Sequence, residues 1–111
     1  MPAYLVPSGT PWIDPAEVTT STTFALSIPV RNDGDEAAGM HDVVVLDLTV
    51  DYAPDHKSYH VTAVGAEPGQ EYSGTVHVAG GELDAGTWHV SARNQHDSGY
   101  SEHRLTFEVT E

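Results

Sequence analysis

The residues with the chemistry to bind something fall mainly in two polar stretches. Asp33, Asp35, Glu36, His41 and Asp42 lie in NDGDEAAGMHD, 32–42, and His96 and Asp97 lie in NQHDSG, 94–99. Carboxylates joined by backbone carbonyls from glycine-containing loops suit Ca²⁺, which takes six to eight oxygens in flexible geometry. Asp33, Asp35, Asp42 and Asp97 are the candidate ligands for such an ion. His41 and His96 with a carboxylate would instead suit Zn²⁺ or Ni²⁺. Asp33 and Asp35 are spaced like the start of an EF-hand loop, but the twelfth position holds no Glu and no helices flank it. The competing reading is simpler. Asn32, Asp33 and Gly34 are good turn formers, and Asp side chains in turns bond local backbone.

Catalysis has less to stand on. Ser98 follows His96 and Asp97, yet three adjacent loop residues cannot make a relay of fixed geometry. G-x-S-x-G, H-E-x-x-H and P-loop patterns are absent. Acidic side chains are so frequent that paired carboxylates say nothing about acid–base work. The expectation is a protein that is not an enzyme and holds no cofactor, Ca²⁺ being the exception considered.

Partner binding has three candidates. Trp12 lies between prolines, and aromatics are favoured interface anchors; the alternative is that it caps the open end of the core. Val43 and Val45 fall on the outward parity of an otherwise polar strand face. They are either covered by the N-terminal residues Tyr4, Leu5, Trp12 or Ile13, or face another chain. His89 and His60 also fall on outward positions, where Asp47 and Asp51 would be neighbours, so a surface His–Asp pair is expected.

The elements that position these residues are strands. No window of 11 or more residues keeps a 3.6-residue apolar period, whereas period-two alternation recurs between Gly, Pro, Asn and Asp clusters. Residues 1–15 hold four prolines and read as an extended lead-in with a short edge strand at Tyr4–Val6. Glu17–Thr23 is polar and Thr-rich, an exposed strand or hairpin limb. In Phe24–Arg31 the residues Phe24, Leu26, Ile28 and Val30 share a face. Pro29 falls on the other parity, so that strand is at an edge, bulged there, or unpaired at that position. Val43–Tyr52 has Val44, Leu46, Leu48, Val50 and Tyr52 on one face. Ser58–Val64, Glu71–Val78, Gly86–Arg93 and His103–Val109 follow, with Tyr59/Val61, Tyr72/Val76/Val78, Trp88/Val90/Ala92 and Leu105/Phe107/Val109 inward. About seven strands spaced by turns predict an all-β, immunoglobulin-like antiparallel β-sandwich over residues 16–111, with Trp88 as its central plug. On that topology the turns 31–42, 63–70 and 94–101 share one pole.

The bulk numbers agree with one domain. The chain has 111 residues and no cysteine, so the core is apolar and unstapled. Seventeen acidic residues face three Arg and one Lys, for a net charge of −13. That field repels phosphate backbones, so nucleic acid is not expected as a partner. Seven His add a reserve of positive charge below about pH 6.5. No segment approaches 18 apolar residues, so membrane insertion is not expected. The start MPAYLVPSGTP has no basic region followed by an apolar one, so no signal peptide is expected.

Three segments in order carry a family resemblance: FALSIPVRNDGDEAAG at 24–39, EPGQEYSGTVHV at 67–78 and LDAGTWHVSA at 83–92. Together they resemble the bacterial and archaeal cell-adhesion-related (CARDB) domain and its immunoglobulin-like and fibronectin type III-like relatives, over about residues 16–109. The resemblance implies a non-catalytic binding, adhesion or spacer module of a surface or secreted protein. That places it at the cell surface or outside the cell if it is one unit of a longer chain. The alternative is a stand-alone structural subunit decorating a virus particle or another assembly. Either admits a protein, a carbohydrate or a second copy of the chain as partner.

Overall fold

The structure is a computed structural model and describes residues 2–51 and 56–111. Among these are nine strands: β1 Leu5–Pro7, β2 Trp12–Asp14, β3 Val18–Thr19, β4 Phe24–Asn32, β5 Val43–Val50, β6 His56–Thr62, β7 Glu71–Val78, β8 Gly86–Asn94 and β9 Leu105–Thr110. They form two sheets. In one, β4 pairs with β7 and with both β1 and β2; the other runs β3-β9-β8-β5-β6. Because β7 occupies one edge of β4 from Phe24 to Arg31, β1 and β2 lie end to end along the other. The immunoglobulin-like β-sandwich expected from the sequence is therefore formed. Its pairings are antiparallel except for β3 with β9.

The alternation reads through to burial. Phe24, Leu26, Ile28 and Val30 on β4 face Val44, Leu46, Leu48 and Val50 on β5 and Trp88, Val90 and Ala92 on β8, all of them buried. Phe24 and Phe107 meet edge to face across the sheets, ring centroids 5.6 Å apart. Trp88 is 2% exposed, and its indole N–H donates to the Asp84 carbonyl at 2.8 Å. Truncating a buried aromatic of this size costs about 3–5 kcal/mol.

Pro29 sits mid-strand without breaking the sheet. It lies opposite Ser73 on the β7 side, and its carbonyl accepts from the Ser8 amide at 2.9 Å on the other. A strand residue's N and C=O point to the same edge, so the missing N–H faces the gap between β1 and β2. There residues 8–11 replace ladder pairing, which is the unpaired position the sequence allowed. At Gly74 the two sheets come close. A Cβ there would stand 2.1 Å from Val61 Cγ1 on β6, so only glycine lets β7 approach.

Several boundaries differ from the sequence reading. The 58–64 strand runs His56–Thr62 instead, because Ala63 to Ala66 form a turn closed by the Ala66 amide on the Ala63 carbonyl at 3.0 Å. Tyr52 lies outside the described residues. Of 17–23, two residues form β3, with Val18 buried against the core. Residues 1–15 supply β1 and β2 to the sandwich, and Ala3 and Leu5 to its core.

Candidate functional site

The three loops predicted to share a pole do meet there. The Ala38 amide bonds the Ala66 carbonyl and the Gly65 amide bonds the Ala38 carbonyl, both at 2.9 Å, while the Gly69 amide reaches Asn32 O at 2.7 Å. Loop 94–101 joins through Gln95, whose Oε1 accepts from the Val43 amide at 2.9 Å. The residues that organise this pole are two buried asparagines at strand ends. Asn32, fully buried at the end of β4, donates to Glu36 O at 2.7 Å and Ala66 O at 2.9 Å. Its Oδ1 accepts from the amides of Tyr4 at 3.2 Å and Gly34 at 2.9 Å. Asn94, at the end of β8, donates to Leu5 O at 2.6 Å and accepts from the His96 amide at 2.8 Å. Gly34 must be glycine, since a Cβ would fall 2.0 Å from Pro2 O.

The candidate metal ligands are drawn to other partners. Arg31 donates to both oxygens of Asp33 at 2.5 and 3.1 Å, and that bond holds the Asp33 carboxyl below its ordinary value. Asp42 caps its own turn by accepting from the Gly39 amide at 2.8 Å. Asp97 accepts from the Tyr4 hydroxyl at 2.5 Å. Asp35 lies in the same loop as Asp33 and is exposed. Among the described residues no group of three or more His, Asp or Glu side chains stands close enough to hold a metal ion. Within Asn32–Gly34 it is Asn32 that bonds local backbone, accepting from the Gly34 amide, while Asp33 accepts from the Arg31 side chain.

The outer face of the β3-β9-β8-β5-β6 sheet departs from the sequence reading. Val45 and Asp47, on the outward parity, are buried, and Val43 is half-buried. Of the N-terminal residues weighed as a cover, Leu5 is in the core, Trp12 and Ile13 pair with β4 in the other sheet, and the Tyr4 hydroxyl donates to Asp97 in the β8–β9 loop. Arg93, opposite Val45 on β8, and Tyr100 from the β8–β9 loop lie over this face. The Tyr100 and Ser58 hydroxyls both donate to Asp47. The Arg93 guanidinium is 3.8 Å from the same carboxylate and 6.0 Å over the Tyr100 ring. The bond to Asp47, then burial, raises the Tyr100 hydroxyl above its ordinary value. The expected His–Asp pair is present: His89 Nε2 meets Asp51 Oδ1 at 2.5 Å, and its Nδ1 meets the Thr106 hydroxyl at 3.0 Å.

The outer face of the other sheet carries Trp12, 44% exposed. It does not plug the core. In register it stands beside Ser27 on β4 and Thr75 on β7, whose hydroxyls bond at 2.8 Å. Ser27 is buried although it points outward. The next row is Asp14, Ala25 and His77. The sequence singled out Trp12 but not these neighbours, since the register that joins β2, β4 and β7 spans more than 60 residues.

No family model matches the chain, and no curated protein matches it. Among solved structures it is similar to a β-glucosidase from Erythrobacter marinus, at 18% identity and a TM-score of 0.62, over 92% of this chain and 15% of that one. It is also similar to a β-glucosidase from Listeria innocua, in complexes with glucose and with isofagomine. There the identity is 12% and the TM-scores 0.52 and 0.51, over 94% of this chain and 16% of those. At such identities the likeness is one of fold. The chain spans about a sixth of the length of the proteins it resembles.

Proposed function

We propose that this domain is a non-catalytic spacer and binding module of a surface or secreted protein. The observation that carries the reading is where the two ends of the chain leave the sandwich. Residues 2–5 run beside Asn32, Gly34 and Asp97 at the loop pole. Residues 109–110 lie at the other pole, Val109 beside Gly86 and the Thr110 carbonyl bonded to the Thr20 amide at 2.8 Å. A body 45 Å long and 24 by 20 Å across, entered at one tip and left at the other, extends any chain it is inserted into. The fold likeness to a sixth-length portion of two β-glucosidases supports a role as one part of a longer protein. So does the resemblance of segments 24–39, 67–78 and 83–92 to adhesion-related domains.

Small-angle scattering on two copies joined by a short linker tests the spacer role. The expected maximum dimension is about twice 45 Å, and a folded-back pair would overturn it. Turnover of nitrophenyl glycosides or esters by the purified domain, lost on mutation of its own residues, would overturn the non-catalytic part.

A further inference from the structure

We propose that the outer face of the β2–β4–β7 sheet binds neutral polysaccharide, with the Trp12 indole as its stacking platform. This goes beyond the spacer reading and does not depend on it, since a rod can carry such a face or lack it.

The face is laid out by register. Trp12, Ser27 and Thr75 form one row across the three strands, and Asp14, Ala25 and His77 form the next; Pro29 and Ser73 continue the face on the other side of the Trp12 row. Strands lie about 4.8 Å apart and alternate residues about 7 Å apart. Trp12 therefore stands about 10 Å from Thr75, and Ser27 between them is buried, so a sugar would lie over this row and not down between its side chains. Asp14, Ser73, Thr75 and His77 are exposed, and the β4 residues in the same rows are the short Ala25, Ser27 and Pro29.

The chemistry matches a pyranose. Its C–H face stacks on an indole, whose negative π-surface attracts the C–H groups. Its hydroxyls need mixed donors and acceptors, which a carboxylate, an imidazole and two hydroxyls provide. Other occupants fit less well. A net charge of −13 opposes nucleic acid and acidic glycans. A stable protein interface buries about 800 Å² per partner around an apolar centre. Trp12 is the one large apolar side chain exposed on this face among the described residues. Met40 and Val64 are in the pole loops, and Tyr100 is on the opposite sheet.

The platform is also rigid. Trp12 is on a strand paired to β4 at three consecutive positions, and its neighbour Ile13 packs on the core. Sites held on strands keep their geometry better than sites on loops.

The two tryptophans make the test direct, because Trp88 reports the core and Trp12 the face. The purified domain is run by affinity electrophoresis through gels holding barley β-glucan, xyloglucan, galactomannan or amylose, with alginate as the acidic comparison. Tryptophan emission is followed on titration with the same polymers. The expected result is retardation by at least one neutral polymer, with a blue shift of the exposed-tryptophan emission. Trp12→Ala is expected to weaken that binding roughly tenfold or more at an unchanged melting temperature. Thr75→Arg, which overhangs the face from an exposed position on β7, is expected to do the same and serves if Trp12→Ala folds poorly. Retardation by none of the four neutral polymers, by alginate alone, or undiminished in both variants would overturn the proposal.

Discussion

The side-chain amide of Asn94 donates to the backbone carbonyl of Leu5 at 2.6 Å, tying the end of β8 to the start of β1. Asn32 does the corresponding work from β4, holding the Tyr4 amide, its own loop and the 63–70 turn at once. Neither group has water to fall back on, so each loss leaves buried backbone polar atoms without partners, at about 1–3 kcal/mol per group. Asn32→Ala and Asn94→Ala are each expected to lower the urea midpoint, Asn32→Ala by more. Asn32→Asp separates hydrogen bonding from shape. It keeps the acceptor for Tyr4 and Gly34 but sets a carboxylate oxygen against the Glu36 and Ala66 carbonyls. It is expected to be worse than alanine, and an aspartate variant as stable as wild type would refute the assignment.

How far the sequence reached can be seen at this same corner. The parity of Phe24, Leu26, Ile28 and Val30 was legible because strand periodicity is local. So was Asn32 as a turn former, since its bond to Gly34 spans two residues. Its burial was not, because the partners that require it, Tyr4 and Ala66, are 28 and 34 residues away. Asp33 pairing with Arg31 was within reach: the two opposite charges are two residues apart where the chain leaves β4, and extended residues two apart share a face. The diversion of Asp97 to Tyr4, 93 residues away, was not. The cover over Val45 and Asp47 was not legible either: both fall on the outward parity, and parity says nothing of a loop residue such as Tyr100 lying over a sheet.

The same diversions predict how the pole responds to metal. Assembling a Ca²⁺ site would require Asp33 to leave Arg31, Asp42 to give up its turn cap and Asp97 to release Tyr4. A ligand at free concentration c that binds the folded state and not the unfolded one stabilises it by RT ln(1 + c/Kd) and so raises its melting temperature. Millimolar Ca²⁺, Zn²⁺ or EDTA is therefore expected to leave the melting temperature unchanged at moderate salt. A rise with Ca²⁺ that disappears in Asp33→Ala/Asp35→Ala would show that these side chains rearrange around an ion.

Gly74 and Val61 predict a compensating pair. With 2.1 Å available between a Cβ at residue 74 and Val61 Cγ1, and 3.2 Å to the Thr62 carbonyl, Gly74→Ala must push β6 and β7 apart. Overpacking of this kind costs about 1–3 kcal/mol. Val61→Ala alone is expected to destabilise by leaving a cavity, yet in the Gly74→Ala background it should recover part of the loss. A double-mutant cycle in urea measures the coupling. Simple additivity of the two costs would mean that the strands do not press on each other there.

Three tyrosines predict the alkaline limit of stability. Tyr4 donates to Asp97, Tyr59 to Glu82 and Tyr100 to Asp47, and all three hydroxyls are raised above their ordinary value near 10. For Tyr4 and Tyr100 the bond to the carboxylate is the largest cause, followed by burial. For Tyr59, the most raised, burial leads and the Glu82 bond follows. The sign follows from linkage: below about pH 10 both folded and unfolded chains keep these protons, and the stabilisation is fully present. Above it the unfolded chain releases them while the folded chain does not, so stability falls as pH rises toward the raised folded values. With one lysine in the chain and arginine charged throughout this range, few other groups titrate there. The urea midpoint is expected to drop between about pH 9.5 and 11.5. Tyr59→Phe, which keeps the ring and removes the titrating proton, should lower stability at pH 8 and flatten the drop more than Tyr4→Phe or Tyr100→Phe. An alkaline slope unchanged in the triple Tyr→Phe variant would place the loss elsewhere in the molecule.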